Sequence, residues 1–452
     1  MKKKISLSTA ITLILLTAAL AISLTMVLAI RYFNRQVQSV AQRQAMYTHI
    51  NDVDKKVREY YTDIDDEMLR QKLTEGYVDG IGDSYAAYFT ATEYTAEQNR
   101  LAGKATDIGL TVCAADGKIA VSAVNINSPA DQSGVKKGDV LTAVNGEDVG
   151  DKTVLQIQRI IDTSEKVLLS VTREKKSLAF ELSPSPYTLR SVQSELMDGI
   201  AYIRISAFLD NTPEQFRAVV SDMQQQGVNG FIFDLRGNAG GSRAAAEEVI
   251  SFLVPLGQYG TETDKNGKIQ RLMSDGSNAI SLSTVTLVDS ATMGEAEFFA
   301  GVLKELSMTT VIGETTAGKA KYQSLFPLET DGSAIKLTVG SYGLVKGGSW
   351  EGVGIEPDTA VVLTDAQKEL SALTALGDDL MVKVALRQLP NNTAASEEPD
   401  IDAAGATKAP PATTTAKAPA TTTAKVTTTA AKATPTTTAK AAKAATKTTK
   451  KK

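Results

Sequence analysis

The chain has 452 residues and a formal net charge of −4, enough for two or three domains with appendages. One cysteine, Cys113, excludes an intramolecular disulfide and any multi-cysteine metal site, and one histidine, His49, excludes a multi-histidine zinc site and argues against a Ser-His-Asp triad. No cofactor and no metal are expected, and the acidic balance predicts no draw to nucleic acid, although the C-terminal tail is basic and the body correspondingly more acidic.

Lys2, Lys3 and Lys4 precede an uncharged run over residues 5–30 that Arg31 closes. Roughly 20 apolar residues cross a bilayer as a helix. The run is therefore read as a signal anchor, its N-terminus cytoplasmic and the bulk of the chain extracytoplasmic, single-pass in the cell membrane. The alternative is a cleaved signal peptide, but the run exceeds the usual apolar region of about 7–15 residues and has no clear small-x-small site before charge resumes. Residues 1–35 are assigned to the cytoplasmic stub and membrane helix. Residues 36–101 read as a helical segment to which no chemistry is assigned, with His49 at the surface.

Residues 102–185 alternate strand patterns with turns. A short helix is expected over 130–133, a turn at Gly138-Asp139, then a strand and a hairpin turn at Asn145-Gly146. A second helix is expected over 153–162 and a strand over 108–113, with Cys113 in buried packing.

Residues 186–389 read as one core. A strand over 199–205 leads to a helix with Thr212 as its N-cap, running to 226, and then to a buried strand over 230–235. That strand ends in Asp-Leu-Arg-Gly-Asn-Ala-Gly-Gly-Ser before a helix over 243–253, a layout that presents backbone N–H groups. The layout recurs over 286–323: a short strand, a tight turn, a helix carrying Phe298, Phe299, Val302 and Leu303, a strand over 309–312, and a Gly-Lys loop ending at Lys319. Strand, turn and helix place the turn residues at a helix N-terminus able to hold an oxyanion, and the returning loop brings a lysine back towards it. This is a layout for acyl transfer by a nucleophile with a lysine base. The residue at the nucleophile's place is Gly294. Strands over 334–342 and the stretch 352–358 follow, and a last helix is expected over 365–389. Beyond Pro390 come Ala-Thr-Thr-Thr-Ala-Lys repeats without aromatics, so residues 390–452 are expected to be disordered. The basic tail is read as a solubilising spacer or as a contact to an anionic cell wall or lipid headgroups.

These motifs resemble the S41 carboxyl-terminal processing peptidases, or tail-specific proteases. Leu287-Val288-Asp289, Glu297 and Ala300-Gly301 match the pattern LVN-x-x-[ST]-A-S-A-S-E-[IV]-x-A-G, and Gly313-Glu314, Gly318-Lys319 and Gln323 match GE-x-x-x-GK-x-x-x-Q at unchanged spacing. Residues 234–242 resemble DLRxNxGG, GDSYAAYF stands for DDPYSxYF, and Gly352–Asp358 resembles the closing G-[IV]-x-P-D. SPADQSGVKKGDVLTAVNG resembles the interior of a PDZ domain. The implied fold class is an α/β (α+β) S41 peptidase core at 186–389 with an inserted β-rich PDZ domain at 102–185, an N-terminal transmembrane helix and a disordered C-terminal tail.

Carried over residue by residue, the resemblance places the general base on Lys319, its orienting partner on Gln323 and the missing serine on Gly294. It gives the oxyanion hole to Gly240, Gly241 and the backbone N–H of Glu295, and makes Arg236 a brace for its loop. The neighbouring hydroxyls Ser290 and Thr292 lie on the strand side of the turn. A carboxylate at Glu295 beside Lys319 is expected to favour the charged ammonium. The PDZ carboxylate-binding loop falls on Asp107, Ile108, Gly109 and Leu110, with the peptide groove between the strand it opens and the second helix. Asp107 stands where a glycine is common. Its carboxylate either repels a ligand's terminus or points to solvent, and capture of a C-terminus stays open.

Two functions compete: an inactive or severely impaired S41 homologue that binds peptide or unfolded protein C-termini, and an active Ser/Lys endopeptidase that cleaves tails of envelope proteins with a non-standard nucleophile. A third, a wall-associated scaffold, rests on the tail and the PDZ segment. Homo-oligomerisation through the helical ends is a further expectation.

Overall fold

Alternation of apolar side chains builds the core from its central strands outward. The computed structural model describes residues 7–389 and 407–408. Its main sheet orders Val192–Met197, Ile200–Ile205, Gly230–Asp234, Ser283–Val288, Thr309–Gly313, Thr359–Ala360 and Thr407–Lys408. The five strands from Ile200–Ile205 to Thr359–Ala360 run parallel, and both flanking pairs are antiparallel. Parallel strands are buried on both faces, and successive side chains point to opposite sides. Ala201, Ile203, Phe231 and Phe233 therefore pack with Phe216, Val249 and Phe299 on one face. Ile200, Tyr202, Ile232 and Val285 pack with Met381, Val382 and Ala385 on the other. Phe233 meets Phe299 edge-on at 5.6 Å between ring centroids, which fixes helix Glu295–Glu305 against the sheet.

A second sheet combines Ala87–Phe89, Ala334–Gly343, Gly257–Asp264 and Ile269–Ser274, with Lys321–Pro327 along the other side of Ala334–Gly343. The inserted β domain is a six-stranded sheet with helix Val154–Thr163. A two-stranded antiparallel ladder, Lys104–Asp107 with Ser185–Thr188, closes the insertion where the chain enters and leaves it. Asn145 and Gly146 both take positive φ, 54° and 83°, as a type I′ hairpin turn requires.

Several elements depart from the sequence expectation. The segment over 36–101 is not wholly helical: Leu7–Tyr60 is one helix, Asp66–Asp79 and Ala91–Leu101 follow, and Ala87–Phe89 is a strand paired with Ala334–Gly343. Thr212 is not the N-cap. It is the first helical residue, and its hydroxyl accepts from the Leu209 N–H at 2.7 Å while Asn211 occupies the cap. The last helix is broken into Asp365–Ser371, a 3₁₀ turn at Leu376–Asp378, and Leu380–Gln388. The break has a cause in Asp379, which turns extended and caps the N–H groups of Met381 and Val382. Apart from Thr407–Lys408, a short strand, the tail over 390–452 lies outside the described residues. Within helix Leu7–Tyr60, Ile11–Phe33 is 23 residues long and apolar enough to cross a membrane.

The Asp-Leu-Arg motif is a buried ion cluster at the end of a central strand. The fully buried Asp234 carboxylate accepts from the Arg236 side chain at 2.6 Å, the Tyr202 hydroxyl at 2.6 Å and Arg204 at 3.3 Å. Arg236 reaches on to Asp379 at 2.8 Å and so ties this loop to the final helix, while nothing in its geometry points it towards a ligand. Burial pushes the Asp234 carboxyl up, but the Arg236 guanidinium outweighs it and holds the group below the usual carboxylate range. We expect Arg236→Met to cost about 3–5 kcal/mol in urea unfolding at pH 7, because it strands a buried charge. Because the folded pKa is depressed, the stability Asp234 contributes is present above about pH 4 and disappears as pH falls through the folded value. The penalty of Arg236→Met should shrink in the same window.

Candidate active site

The site is assembled where strand Ser283–Val288 turns into helix Glu295–Glu305. Gly294, at the turn, has φ 62° and ψ −117°, a strained conformation that a nucleophile elbow adopts and that suits glycine. A Cβ built there has room, with the Lys319 side chain 3.8 Å away in ordinary contact. The buried Thr292 hydroxyl is committed to Leu235 O at 3.0 Å and Asp289 at 2.9 Å, so it serves the turn. Ser290 is exposed on the strand side.

One carboxylate joins the elbow to the Gly-Lys loop. Glu297, fully buried, accepts from Gly294 N–H at 2.9 Å, Gly318 N–H at 2.7 Å, Lys319 N–H at 2.8 Å and the Thr316 hydroxyl at 2.5 Å. These bonds bring Lys319 back over the turn. The Lys319 ammonium lies 5.0 Å from the Tyr85 ring centroid, a cation–π contact. Burial pushes its pKa down, and the Glu295 carboxylate pulls the other way without winning. Glu295 thus favours the ammonium, as expected, but desolvation outweighs it and the net shift is downward.

The glycine turn after Gly230–Asp234 faces the elbow. Gly240 and Gly241 have φ of 88° and 146°, and at Gly241 a Cβ would lie 2.0 Å from Phe208 O, so neither position tolerates a side chain. Their N–H groups are engaged. Gly240 donates to Asn238 Oδ1 at 2.8 Å, and Gly241 donates to Glu295 Oε2 at 3.1 Å. The other Glu295 oxygen accepts from the Tyr342 hydroxyl at 3.2 Å. Of the three expected oxyanion donors, only the Glu295 backbone N–H lacks a hydrogen-bond acceptor among the described residues.

A cleft of about 540 Å³ runs past these groups, lined by Gly240, Gly241, Glu295, Lys319, Gln323 and Lys336 among others. Gln323 is in the cleft wall, but its amide donates to Lys321 O at 3.2 Å and Thr338 Oγ1 at 3.3 Å. The orienting contact from Gln323 to Lys319 is not made among the described residues; Gln323 lies opposite Thr338 in the ladder with Ala334–Gly343 and bonds to it. Tyr85 holds the ammonium in its place. Sequence reasoning gave Tyr85 no chemistry, although it stands at the tyrosine of the matched GDSYAAYF stretch. It likewise matched Glu297 to the motif without recognising its clasp.

Beside the cleft, Arg243 stacks over the Tyr322 ring at 4.9 Å and pairs with Glu262 at 3.0 Å. Burial and the neighbouring Glu262 push the Glu247 carboxyl up to about 7.

In the inserted domain the four residues of the expected carboxylate loop lie together. The Asp107 carboxylate turns into the loop and accepts from the Gly109 N–H at 2.6 Å and the Tyr187 hydroxyl at 2.7 Å. Gln158, on helix Val154–Thr163, bonds the backbone of strand Leu110–Ala115.

An α/β core with a Gly-rich turn, a strand-to-helix elbow and a returning lysine, interrupted by a six-stranded β domain, is the S41 peptidase fold. The Peptidase family S41 pattern matches residues 199–361 and the PDZ domain pattern residues 120–173, which makes the chain an S41 carboxyl-terminal processing peptidase homologue. It is 29% identical over 317 residues to the carboxy-terminal processing protease CtpB of Bacillus subtilis strain 168, covering 68% of this chain and 66% of that protein. To CtpA of the same organism it is 27% identical over 363 residues, covering 79% and 78%. The fold is shared with a Bacteroides fragilis protein of known crystal structure assigned to the S41 group, at a TM-score of 0.53 and 17% identity over 70% of this chain and 89% of that one.

Two outcomes follow from the carboxylates Glu297, buried, and Glu247, half-buried. Glu297→Gln puts an amide NH₂ among four donors, and we expect a loss of about 3 kcal/mol in urea unfolding together with faster amide exchange at Gly318 and Lys319. For Glu247 the folded pKa is raised, so the stability tied to its proton is present below about pH 4.5 and is lost as pH rises through about 7. Glu247→Gln should flatten stability across that interval and leave the variant the more stable protein above it.

Proposed function

We propose that this chain is a membrane-anchored, extracytoplasmic S41 homologue that binds peptide chains in its cleft and hydrolyses them severely slowly or not at all. The observation that carries the reading is the Glu295 carboxylate hydrogen-bonded to Gly241 beside a Gly294 that has no side chain. The family pattern has serine and alanine at these two positions. Acyl transfer needs an oxygen for the base to deprotonate and open donors for the developing anion. Here the first is absent and two of the second, the Gly240 and Gly241 N–H groups, are engaged. Elsewhere, removal of one triad member leaves only about 10³–10⁴-fold catalysis over water.

The PDZ domain supports peptide or unfolded protein C-termini as the ligand class. The three N-terminal lysines and the span Ile11–Phe33 support the anchor and its orientation. The basic tail extends the reading to contact with an anionic wall, and the helical ends to self-association.

One observation favours the second reading, an active Ser/Lys endopeptidase with a non-standard nucleophile: Lys319 is half-buried and desolvation moves its pKa down, the direction a general base needs.

The test is hydrolysis of an unfolded reporter protein by the detergent-solubilised full chain. We expect no hydrolysis by the unmodified chain and slow hydrolysis by Gly294→Ser. Adding Glu295→Ala should raise that rate by about 10²-fold, the usual effect of one oxyanion donor, and Lys319→Ala should abolish it. Hydrolysis by the unmodified chain that Lys319→Ala removes would overturn the proposal.

A further inference from the structure

Strand Leu110–Ala115 is the edge strand of the PDZ sheet, bonded on one side only, to Lys118–Val124. Its other edge faces helix Val154–Thr163, and a peptide that adds a strand there must pair with backbone groups of alternate residues. Two of the groups on that edge are the Leu110 C=O and the Val112 N–H. Both are taken by a single side chain. Gln158 Oε1 accepts from Val112 N–H at 3.1 Å, and Gln158 Nε2 donates to Leu110 O at 3.0 Å. The remaining amide hydrogen goes to Asp162 Oδ1 at 2.9 Å, which fixes which end is oxygen and which nitrogen. A side-chain amide carries the same donor and acceptor as a peptide unit, so Gln158 occupies the place of one residue of an added strand.

The terminus of the groove is filled in the same way. The loop before the strand should receive a ligand's carboxylate on its N–H groups. The Gly109 N–H instead donates to the Asp107 carboxylate, which Tyr187 also holds, and Tyr187 is itself fixed by Asn125 at 2.8 Å. Gly109 is crowded as well, since a Cβ there would lie 2.1 Å from Ser128, so the loop has no slack on that side. The space left between Asp107, Gln158, Ile161 and Asp162 is about 190 Å³, below the ~300–1,000 Å³ of ordinary ligand pockets. Two carboxylates face it, and both repel a third.

We infer that Gln158 and Asp107 together occupy the seat of a peptide C-terminus, so that the PDZ groove is closed by the chain's own side chains and admits a free carboxylate only when both swing out. Ile108, Leu110 and Ile161 line that space, so the ligand class is a peptide with an apolar last residue and an unblocked terminus. The inference deepens the PDZ part of the functional reading. It is independent of whether the cleft cuts, because hydrolysis by the unmodified chain would overturn that proposal and leave this one standing.

The test uses the full chain in detergent and a fluorescein-labelled peptide ending in Ala-Leu with a free carboxylate, beside the same peptide amidated. For the unmodified chain we expect no saturation below about 1 mM, and for Asp107→Gly with Gln158→Ala at least a tenfold gain that amidation abolishes. Carboxylate-dependent binding by the unmodified chain at about 1 μM, no tighter in the double variant, would overturn the inference. Amide exchange supplies a second readout that needs no double variant. The Val112 N–H should be protected in the unmodified chain and exposed in Gln158→Ala, and exchange there at the rate of an open loop in the unmodified chain would equally overturn it.

Discussion

The arrangement of the cleft depends on one buried carboxylate. Glu297 sits in the first turn of its helix, where the exposed N–H groups favour negative charge, and it gathers four donors from two separate segments. Hydrogen bonds to an ionised carboxylate are worth about 1.5–3 kcal/mol each, and leaving such a group unpaired costs several. The elbow and the Gly-Lys loop are thereby locked into one geometry whatever stands at 294. This explains how a chain with glycine at the elbow keeps the elbow's conformation. The oxygen is missing from a frame that does not need it to hold together.

The same frame contains two places built to receive a negative charge, and each is occupied from within. In the cleft the Glu295 carboxylate rests on Gly241 N–H, and in the PDZ domain the Asp107 carboxylate rests on Gly109 N–H. Both carboxylates are fixed by a tyrosine hydroxyl, Tyr342 and Tyr187. A charge-assisted bond from a backbone N–H to an internal carboxylate stabilises the unliganded protein. The same bond must be broken before any external anion can enter.

Much of this was legible in the sequence, for identifiable reasons. Strong periodic signals placed the strands and helices of the core, and helix Arg243–Leu253 falls where the pattern puts it. The Asn145-Gly146 turn was legible because few other dipeptides take two positive φ values. Long-range pairing was not. Nothing local in GDSYAAYF says that Ala87–Phe89 pairs with residues some 250 positions later and so delivers Tyr85 to Lys319. The break in the last helix falls at Asp379, which caps the next turn and also pairs with Arg236, a contact across 143 residues. The fate of Lys319 turned on magnitude: sequence supplies the neighbouring carboxylate but not the depth of burial that outweighs it.

The ladder that closes the PDZ insertion has a mechanical consequence. Asp107 ends one of its two strands and Tyr187 lies on the other, so the carboxylate plugging the groove and the hydroxyl that holds it belong to the neck joining the domain to the core. Only these short strands carry the covalent connections in and out. A side chain leaving the groove therefore removes a rung from the neck, and occupancy at the far tip of a peptide is registered at the joint on which the whole domain is hung.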